Sequence, residues 1–140
     1  MSHLLAYGIS LPRFRIENRV LHPDLGKKPG SRSVIFADED PVTLAFEAAG
    51  RCLEDAAEHR REDIDAVIFA TTTPVFGNRY HASFLADLLE LPQGILAMDL
   101  TASPRSGTDA LVLADNLIQS GRFHNVLVLA ADMYFPPVGD

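Results

Sequence analysis

The stretch Ile64-Asp-Ala-Val-Ile-Phe-Ala-Thr-Thr72 decides the fold of this chain. It is a nearly continuous apolar run of strand length, which predicts a strand covered on both faces. Similar runs occupy residues 95–100 and 126–131. Such strands lie inside a mostly parallel sheet, because helices must cover both of its faces.

Helical patterns separate these strands. The segment Asp38-Glu-Asp-Pro41 predicts a helix start, with Asp40 as N-cap and Pro41 at the first helical position, and the helix is expected to run to about His59. Further helices are predicted over residues 78–91 and 105–120. Residues 3–11 and 14–16 are expected to be extended, and residues 21–33 to form a loop. The order βαβαβαβ predicts an α/β fold with helices packed on a mostly parallel sheet.

Length and composition limit the classes of function. The chain has 140 residues, 47% of them hydrophobic, which fits a single domain over residues 1–140. A net charge of −7 disfavours a general nucleic-acid surface. The single cysteine, Cys52, lies on the predicted buried stripe of the first helix and is expected to be a core residue. Without a disulfide, a signal peptide or a membrane span, the sequence predicts a soluble cytoplasmic protein with no membrane partner.

Ligands of parallel sheets bind beyond the carboxyl ends of the strands, here residues 71–74, 101–105 and 132–136. Pro104 lies at the second of these ends, where the strand turns into a helix. The first amides of a helix would stabilise a thiolate or an oxyanion there, but proline offers neither a nucleophile nor an N–H. The alternative interpretation is plain helix initiation, with Ser103 as N-cap and Pro104 as the first helical residue.

The other polar candidates also leave alternatives open. Ser103 and Ser106 lie at the same turn without a Gly-x-Ser-x-Gly motif around them, so they are expected to cap the helix or line the turn. His81 falls near the predicted site as a candidate acid or base, against the alternative of a packed or solvated imidazole. No two histidines have metal-ligand spacing, which predicts no metal site. Asp99 and Asp132 are expected to accept backbone N–H bonds in loops.

One basic cluster interrupts the acidic chain. It has the sequence Lys27-Lys-Pro-Gly-Ser-Arg32, and Lys27, Lys28 and Arg32 are its cations. It is a candidate phosphate contact, and the alternative is a solvated loop.

Four blocks of the sequence carry a resemblance to a known family. They are Asp63-Ile-Asp-Ala-Val-Ile-Phe-Ala-Thr-Thr-Thr-Pro74, Ser103-Pro-Arg-Ser-Gly-Thr-Asp-Ala-Leu111 and residues 37–49 and 120–132. In order and spacing they resemble the thiolase superfamily, and within it the branch of 3-hydroxy-3-methylglutaryl-CoA synthase, with ketoacyl-ACP synthase III as a near relative. Full-length members are more than twice as long, so the resemblance implies a thiolase-like amino-terminal half-domain.

The resemblance implies a site that has lost its nucleophile. The family's acyl-accepting cysteine, whose N–H also serves the oxyanion hole, matches Pro104. The general acid/base glutamate of the synthase branch matches Thr72. The catalytic histidine and its partner belong to the second half of the family's duplicated fold. The resemblance implies a coenzyme A thioester as substrate or ligand, and no further cofactor. The basic cluster is the candidate contact for its phosphates. The expected neighbours of Pro104 in the site are Thr72, Ser103, Arg105 and Ser106.

Three functions follow from the resemblance. The first is a subunit of an enzyme that makes or breaks carbon–carbon bonds on acyl-CoA, with a second thiolase-like chain supplying the carboxyl-terminal half. The second is a noncatalytic subunit that binds acyl-CoA or serves as a scaffold. The third is a cysteine-free retro-aldol cleavage with Tyr80, His81 or Tyr134 as base. The resemblance also implies oligomerisation through the strand from Ile95 to Leu100.

Overall fold

The computed structural model describes residues 2–21, 29–56, 60–101 and 103–133. A hairpin comes first, and alternating helices and strands follow. In chain order the elements are β1 Phe14–Glu17, α1 Asn18–Leu21, β2 Ser31–Val34, α2 Pro41–Asp55, β3 Ala66–Thr71, α3 His81–Leu88, β4 Leu96–Thr101, α4 Ser106–Gln119 and β5 Val126–Ala130, with a 3-10 turn at Arg61–Asp63.

The main sheet has three parallel strands in the order β4-β3-β5. β3 is the central strand, and all six of its residues are buried. Its register pairs Phe69 with Asp99 of β4 and with Leu129 of β5. The apolar run that predicted a doubly covered strand is therefore confirmed as the centre of the sheet.

Helices cover both faces of this sheet. On one face Phe69 of β3 packs with Ala45 of α2 and Leu85 of α3, and on the other Ile68 packs with Ala110 of α4. This arrangement is the expected α/β sandwich, and it brings the carboxyl ends of the three strands to one edge.

The start of α2 is confirmed as predicted. The N–H of Thr43 donates to Asp40 Oδ1 at 2.7 Å, and the N–H of Asp40 donates to Thr43 Oγ1 at 2.8 Å, a reciprocal capping box with Pro41 at the helix start. The helix ends at Asp55 rather than near His59, and His59 lies outside the described residues.

The prediction that residues 3–11 form the first strand of the sheet is wrong. Residues 3–11 form no strand, so the described sheet has three strands where the sequence predicted four. The segment is held by helix side chains instead of by a strand: Arg51 donates to the carbonyl of Ile9, and Ser10 Oγ donates to Glu47 at 2.8 Å. Gly8 lies so close to α2 that a Cβ there would collide with the carbonyl of Ala48.

The loop expected over residues 21–33 also needs correction, because Ser31–Val34 form β2, antiparallel to β1. Phe14 of β1 packs on Phe36 just beyond β2, with ring centroids 4.9 Å apart, and this long-range contact supports the hairpin. A short polar strand such as β2 carries too little local pattern to be recognised.

Two helices begin later than predicted. α3 starts at His81 because the carboxylate of Asp99 accepts the N–H groups of His81 and Ala82. α4 starts at Ser106, after a separate turn through Ser103 and Pro104. Across the described ranges, no helix combines the length and apolar character that crossing a membrane requires.

Candidate functional site

A cavity of about 540 Å³ opens at the carboxyl edge of the sheet. It lies between the ends of β3 and β5 and the start of α4, where the topology of a parallel sheet places ligands. Hydroxyl groups make up much of its lining. The residues that sequence analysis grouped here and that do line it are Thr72, Ser103, Pro104 and Ser106, joined by Gly8, Thr71, Gly107, Thr108 and Asp132 among others.

The turn at Pro104 satisfies its own hydrogen bonds. The N–H of Ser106 donates to the carbonyl of Ser103 at 2.9 Å, and the N–H of Arg105 donates to Ser103 Oγ at 3.2 Å. Pro104 has no N–H. Ser103 therefore stabilises this turn rather than capping α4, whose N-cap position is Arg105, and the predicted Ser103 cap with Pro104 as first helical residue is wrong. Pro104 therefore offers no N–H group at this turn, and the N–H groups of Arg105 and Ser106 are already hydrogen-bonded within it.

Asp132 ties the end of β5 to the end of β3. Its Oδ1 accepts the N–H of Thr72 at 2.5 Å and the hydroxyl of Thr72 at 2.9 Å. The hydroxyls of Thr71 and Thr73 donate to the same oxygen at 3.1 and 3.4 Å. The expectation that Asp132 anchors a loop is confirmed. The consecutive hydroxyl groups of residues 71–73 are its partners, and the sequence analysis did not identify them.

Asp99 of β4 and His81 at the start of α3 form a buried pair. The imidazole Nδ1 lies 2.6 Å from Asp99 Oδ2, and only 2% of the His81 side chain and 8% of the Asp99 side chain are exposed. On the other side of the ring, the N–H groups of Val75 and Phe76 both donate to Nε2 at 2.9 Å. Because Nε2 accepts, Nδ1 must carry the proton that it shares with Asp99. The ring is thus held as one neutral tautomer.

Aromatic rings fix the same imidazole in place. Phe69 and Phe76 stack on His81 with centroid separations of 5.2 and 4.8 Å. Arg79 in turn lies over Phe76, with its guanidinium carbon 4.1 Å from the ring centroid. Both ring nitrogens of His81 are occupied and the residue does not line the cavity, so the packed imidazole, the alternative from the sequence, describes it. It positions the loop that follows β3.

Comparisons with known proteins place this architecture. No family model matches the chain. It is 29% identical to hydroxymethylglutaryl-CoA synthase of Pyrobaculum aerophilum over 92% of this chain and 39% of the relative, and 28% identical to that of Methanosphaera stadtmanae over 100% and 43%. It superposes on 3-oxoacyl-[acyl-carrier-protein] synthase III of Aquifex aeolicus with a TM-score of 0.79 at 29% identity, over 91% of this chain and 44% of that one. The chain has the fold of a thiolase-like half-domain.

This half-domain spans about 40% of the length of the curated relatives it matches. The fold and the resemblance predicted from the sequence are thereby confirmed, and the site cavity lies within the matched part.

Of the described residues that the sequence predicted for the site, Arg105, Arg32, Tyr80 and His81 do not line the cavity. Arg105 is exposed and does not line it, and Arg32 lies on β2, which contributes nothing to the lining. Tyr80 is 60% exposed immediately before α3. Lys27, Lys28 and Tyr134 lie outside the described residues. Within the described ranges, no cluster of three or more His, Cys, Asp or Glu residues could hold a metal ion.

Cys52 lies on the inner stripe of α2 as predicted, but it is only partly buried, so the prediction of a core residue is wrong. Burial raises the pKa of its thiol, and the charge of Asp55 adds to that rise. Both effects disfavour the thiolate, which is the nucleophilic form. Cys52 therefore does not replace a nucleophile at the turn.

Proposed function

We propose that this thiolase-like half-domain is a subunit of an enzyme that forms or cleaves a carbon–carbon bond in an acyl-CoA substrate, and that a partner chain completes the site. One observation carries the proposal: a cavity lies at the strand ends, where parallel sheets bind ligands, and the turn beside it holds Pro104. The similarity to hydroxymethylglutaryl-CoA synthases and ketoacyl synthases III supports the class of substrate.

Acyl transfer through a thioester needs a thiol nucleophile, a base and oxyanion donors. Pro104 supplies neither thiol nor N–H, and the amides of Arg105 and Ser106 are engaged within the turn. The nitrogens of His81 are occupied by Asp99 and by the loop amides. In the described part of the chain, no thiol and imidazole stand together in the cavity. The proposal therefore assigns the reacting groups to a partner chain.

Uncovered apolar side chains support such a partner. They occur along the amino-terminal segment and on α4. Exposed apolar side chains grouped in this way favour a protein interface. The exposed residues are Leu4, Leu5, Tyr7, Ile9, Leu11, Leu111 and Val112.

The test is an assay of the assembly recovered from its natural source. The assembly and the isolated chain are incubated with acetyl-CoA, and the release of free coenzyme A and of carbon–carbon coupled or cleaved product is followed. We expect turnover by the assembly, none by the isolated chain, and unchanged turnover in an assembly carrying Pro104→Ala. Turnover by the isolated chain would refute the need for a partner.

A noncatalytic subunit is the second candidate, and the closed turn at Pro104 favours it. An assembly that binds acyl-CoA at this cavity but contains no Cys-His-Asn constellation and releases no product would support that function. The two candidates therefore differ in turnover and not in binding.

A further inference from the structure

The first turn of α4 has two backbone donors that the described structure does not use. An α-helix cannot satisfy its first N–H groups from within the helix, so they need other acceptors. The N–H groups of Arg105 and Ser106 find theirs in Ser103. The N–H groups of Gly107 and Thr108 have no acceptor among the described residues. These two groups are therefore available to a ligand at the start of α4.

The hydroxyl of Ser106 is a third unused donor at the same place. Ser106 is the first residue of α4, only 5% of it is exposed, and it lines the candidate-site cavity. Its Oγ has no hydrogen-bond partner within the part of the chain that the structure describes. Buried hydroxyl groups are nearly always hydrogen-bonded, because burial without a partner loses the bonds made in water. A molecule bound in the cavity would supply that partner.

The cavity places an apolar wall beside these donors. Gly107 and Thr108 line it together with Ala70 of β3 and with Val128 and Ala130 of β5. The helix start lies close to this wall, because a Cβ added to Gly107 would lie 3.5 Å from the Cβ of Ala130. A ligand that fits this surface has a polar end that accepts hydrogen bonds and a short apolar part next to it.

Charge narrows the choice of the polar end. The start of a helix carries a partial positive charge that favours an anion. Asp132 also lines the cavity, and although its Oδ1 already accepts four donors from residues 71–73, its negative charge opposes a second anion. That repulsion grows with the charge of the ligand, so it is weaker for a carboxylate than for a phosphate dianion. Two carboxylate oxygens also accept three donors more readily than one carbonyl oxygen does.

We infer that the cavity binds the free carboxylate of a short-chain aliphatic acid, with its oxygens at the start of α4 and its alkyl chain against the wall formed by β3 and β5. The hydroxyl of Ser106 and the N–H groups of Gly107 and Thr108 donate to the carboxylate. The acid is held without a covalent bond. This inference concerns the same cavity as the proposed function but does not rest on it, because binding a free acid needs neither a partner chain nor a thioester.

The test is a titration of the full chain, labelled with nitrogen-15, with sodium butyrate at pH 7 and constant ionic strength. We expect the amide signals of Gly107 and Thr108 to move downfield and to saturate, with a Kd of about 1–10 mM. Butyramide has the same shape without the charge, and inorganic phosphate has more charge without the alkyl chain. Both should bind more weakly than butyrate.

Two matched variants of α4 test the donor set. Ser106→Ala removes the unpaired hydroxyl and should weaken butyrate binding by at least about tenfold, the effect of one hydrogen bond to a charged group. It should unfold at the same urea concentration as wild type, because no hydrogen bond within the chain is lost. Ser120→Ala removes a hydroxyl at the other end of the helix, which donates to Leu117, and should bind butyrate as wild type does. Butyrate should raise the urea midpoint of wild type and of Ser120→Ala but not that of Ser106→Ala.

Three outcomes would overturn the inference: amides of Gly107 and Thr108 that do not respond to butyrate, binding of butyramide or phosphate as tight as that of butyrate, or a folded Ser106→Ala variant that binds butyrate as well as Ser120→Ala does. None of these measurements depends on acyl-CoA turnover. Butyrate binding combined with an inactive assembly would refute the proposed function alone, and an active assembly whose amides ignore butyrate would refute this inference alone.

Discussion

Replacing Asp99 tests how the loop after β3 is held beside the site. Its carboxylate accepts three donors: the N–H of His81 at 2.8 Å, the N–H of Ala82 at 2.9 Å and the ring Nδ1–H of His81 at 2.6 Å. Asp99→Ala leaves all three without a partner in a nearly water-free region. Hydrogen bonds to a charged acceptor contribute about 1.5–3 kcal/mol each.

The loss of three such bonds would lower the free energy of unfolding by at most about 4.5–9 kcal/mol. The actual loss is smaller, because the first turn of α3 can fray and let water bind the freed donors. We therefore expect Asp99→Ala to lower the free energy of unfolding by about 3–5 kcal/mol, because up to three buried donors lose their acceptor. Asp99→Asn keeps one oxygen acceptor but turns an NH₂ group toward a donor. The His81 ring cannot switch tautomer to compensate, because Val75 and Phe76 both donate to Nε2. We expect Asp99→Asn to lower the free energy of unfolding by about 2–3 kcal/mol.

The assay is urea unfolding followed by circular dichroism, with Asp87→Asn as the matched control. Asp87 is exposed on α3, and its replacement removes the same charge with an expected change below about 0.5 kcal/mol. Nitrogen-15 NMR of the histidine rings should show His81 protonated at Nδ1 and unprotonated at Nε2. An Asp99→Asn variant as stable as Asp87→Asn, or the opposite tautomer, would show that Asp99 does not hold the His81 ring and the first turn of α3 in this way.

Four further predictions concern other parts of the structure. Gly8→Ala should release the amino-terminal segment, because its Cβ would collide with the backbone of α2, and limited proteolysis should then cut within residues 2–11 faster than in wild type. Burial, the largest effect on Asp65, raises its pKa, but N–H bonds from Asn125 and His124 and the charge of His124 lower it overall. The stability it contributes is present above its ordinary pKa of 3.8 and is lost as pH falls through its folded pKa, so acid unfolding of Asp65→Asn should depend less on pH. Asp132→Ala should lower the free energy of unfolding in urea by about 1–2 kcal/mol and Asp132→Asn by less, since the amide oxygen still accepts. Because the pKa of Cys52 is raised, its alkylation at neutral pH should be slower than that of a free thiol, and a rate equal to that of a free thiol would contradict its burial.

The fold could be predicted because its signals are local. Each parallel strand is an apolar run, each major helix has its own periodicity, and Asp40 with Pro41 marks a helix start without any tertiary contact. The prediction of a strand over residues 3–11 is wrong because strand pairing depends on which backbone lies alongside, and the sequence does not show that. The segment has a strand-like sequence pattern, but side chains of α2 bind the carbonyl of Ile9 and the hydroxyl of Ser10.

The candidate site was predicted in part for the same reason. Topology alone brings Thr72, Pro104 and Ser106 to one cavity, since the carboxyl ends of parallel strands share an edge. The pair of His81 and Asp99 needed the strand register as well. Asp99 pairs with Phe69, whose side chain packs against α3. A carboxylate on this otherwise apolar face of the sheet needs hydrogen-bond donors nearby. Asp99 was therefore the sequence feature that could have indicated a buried polar pair.

Native mass spectrometry of the assembly from its natural source determines whether a second chain accompanies this half-domain. We expect a hetero-oligomer in which the second chain is thiolase-like and carries the acyl-accepting nucleophile. Mild acyl-CoA loading should then add the mass of an acyl group to the second chain and not to this one. A monodisperse monomer, or an acyl group on this chain, would contradict the account.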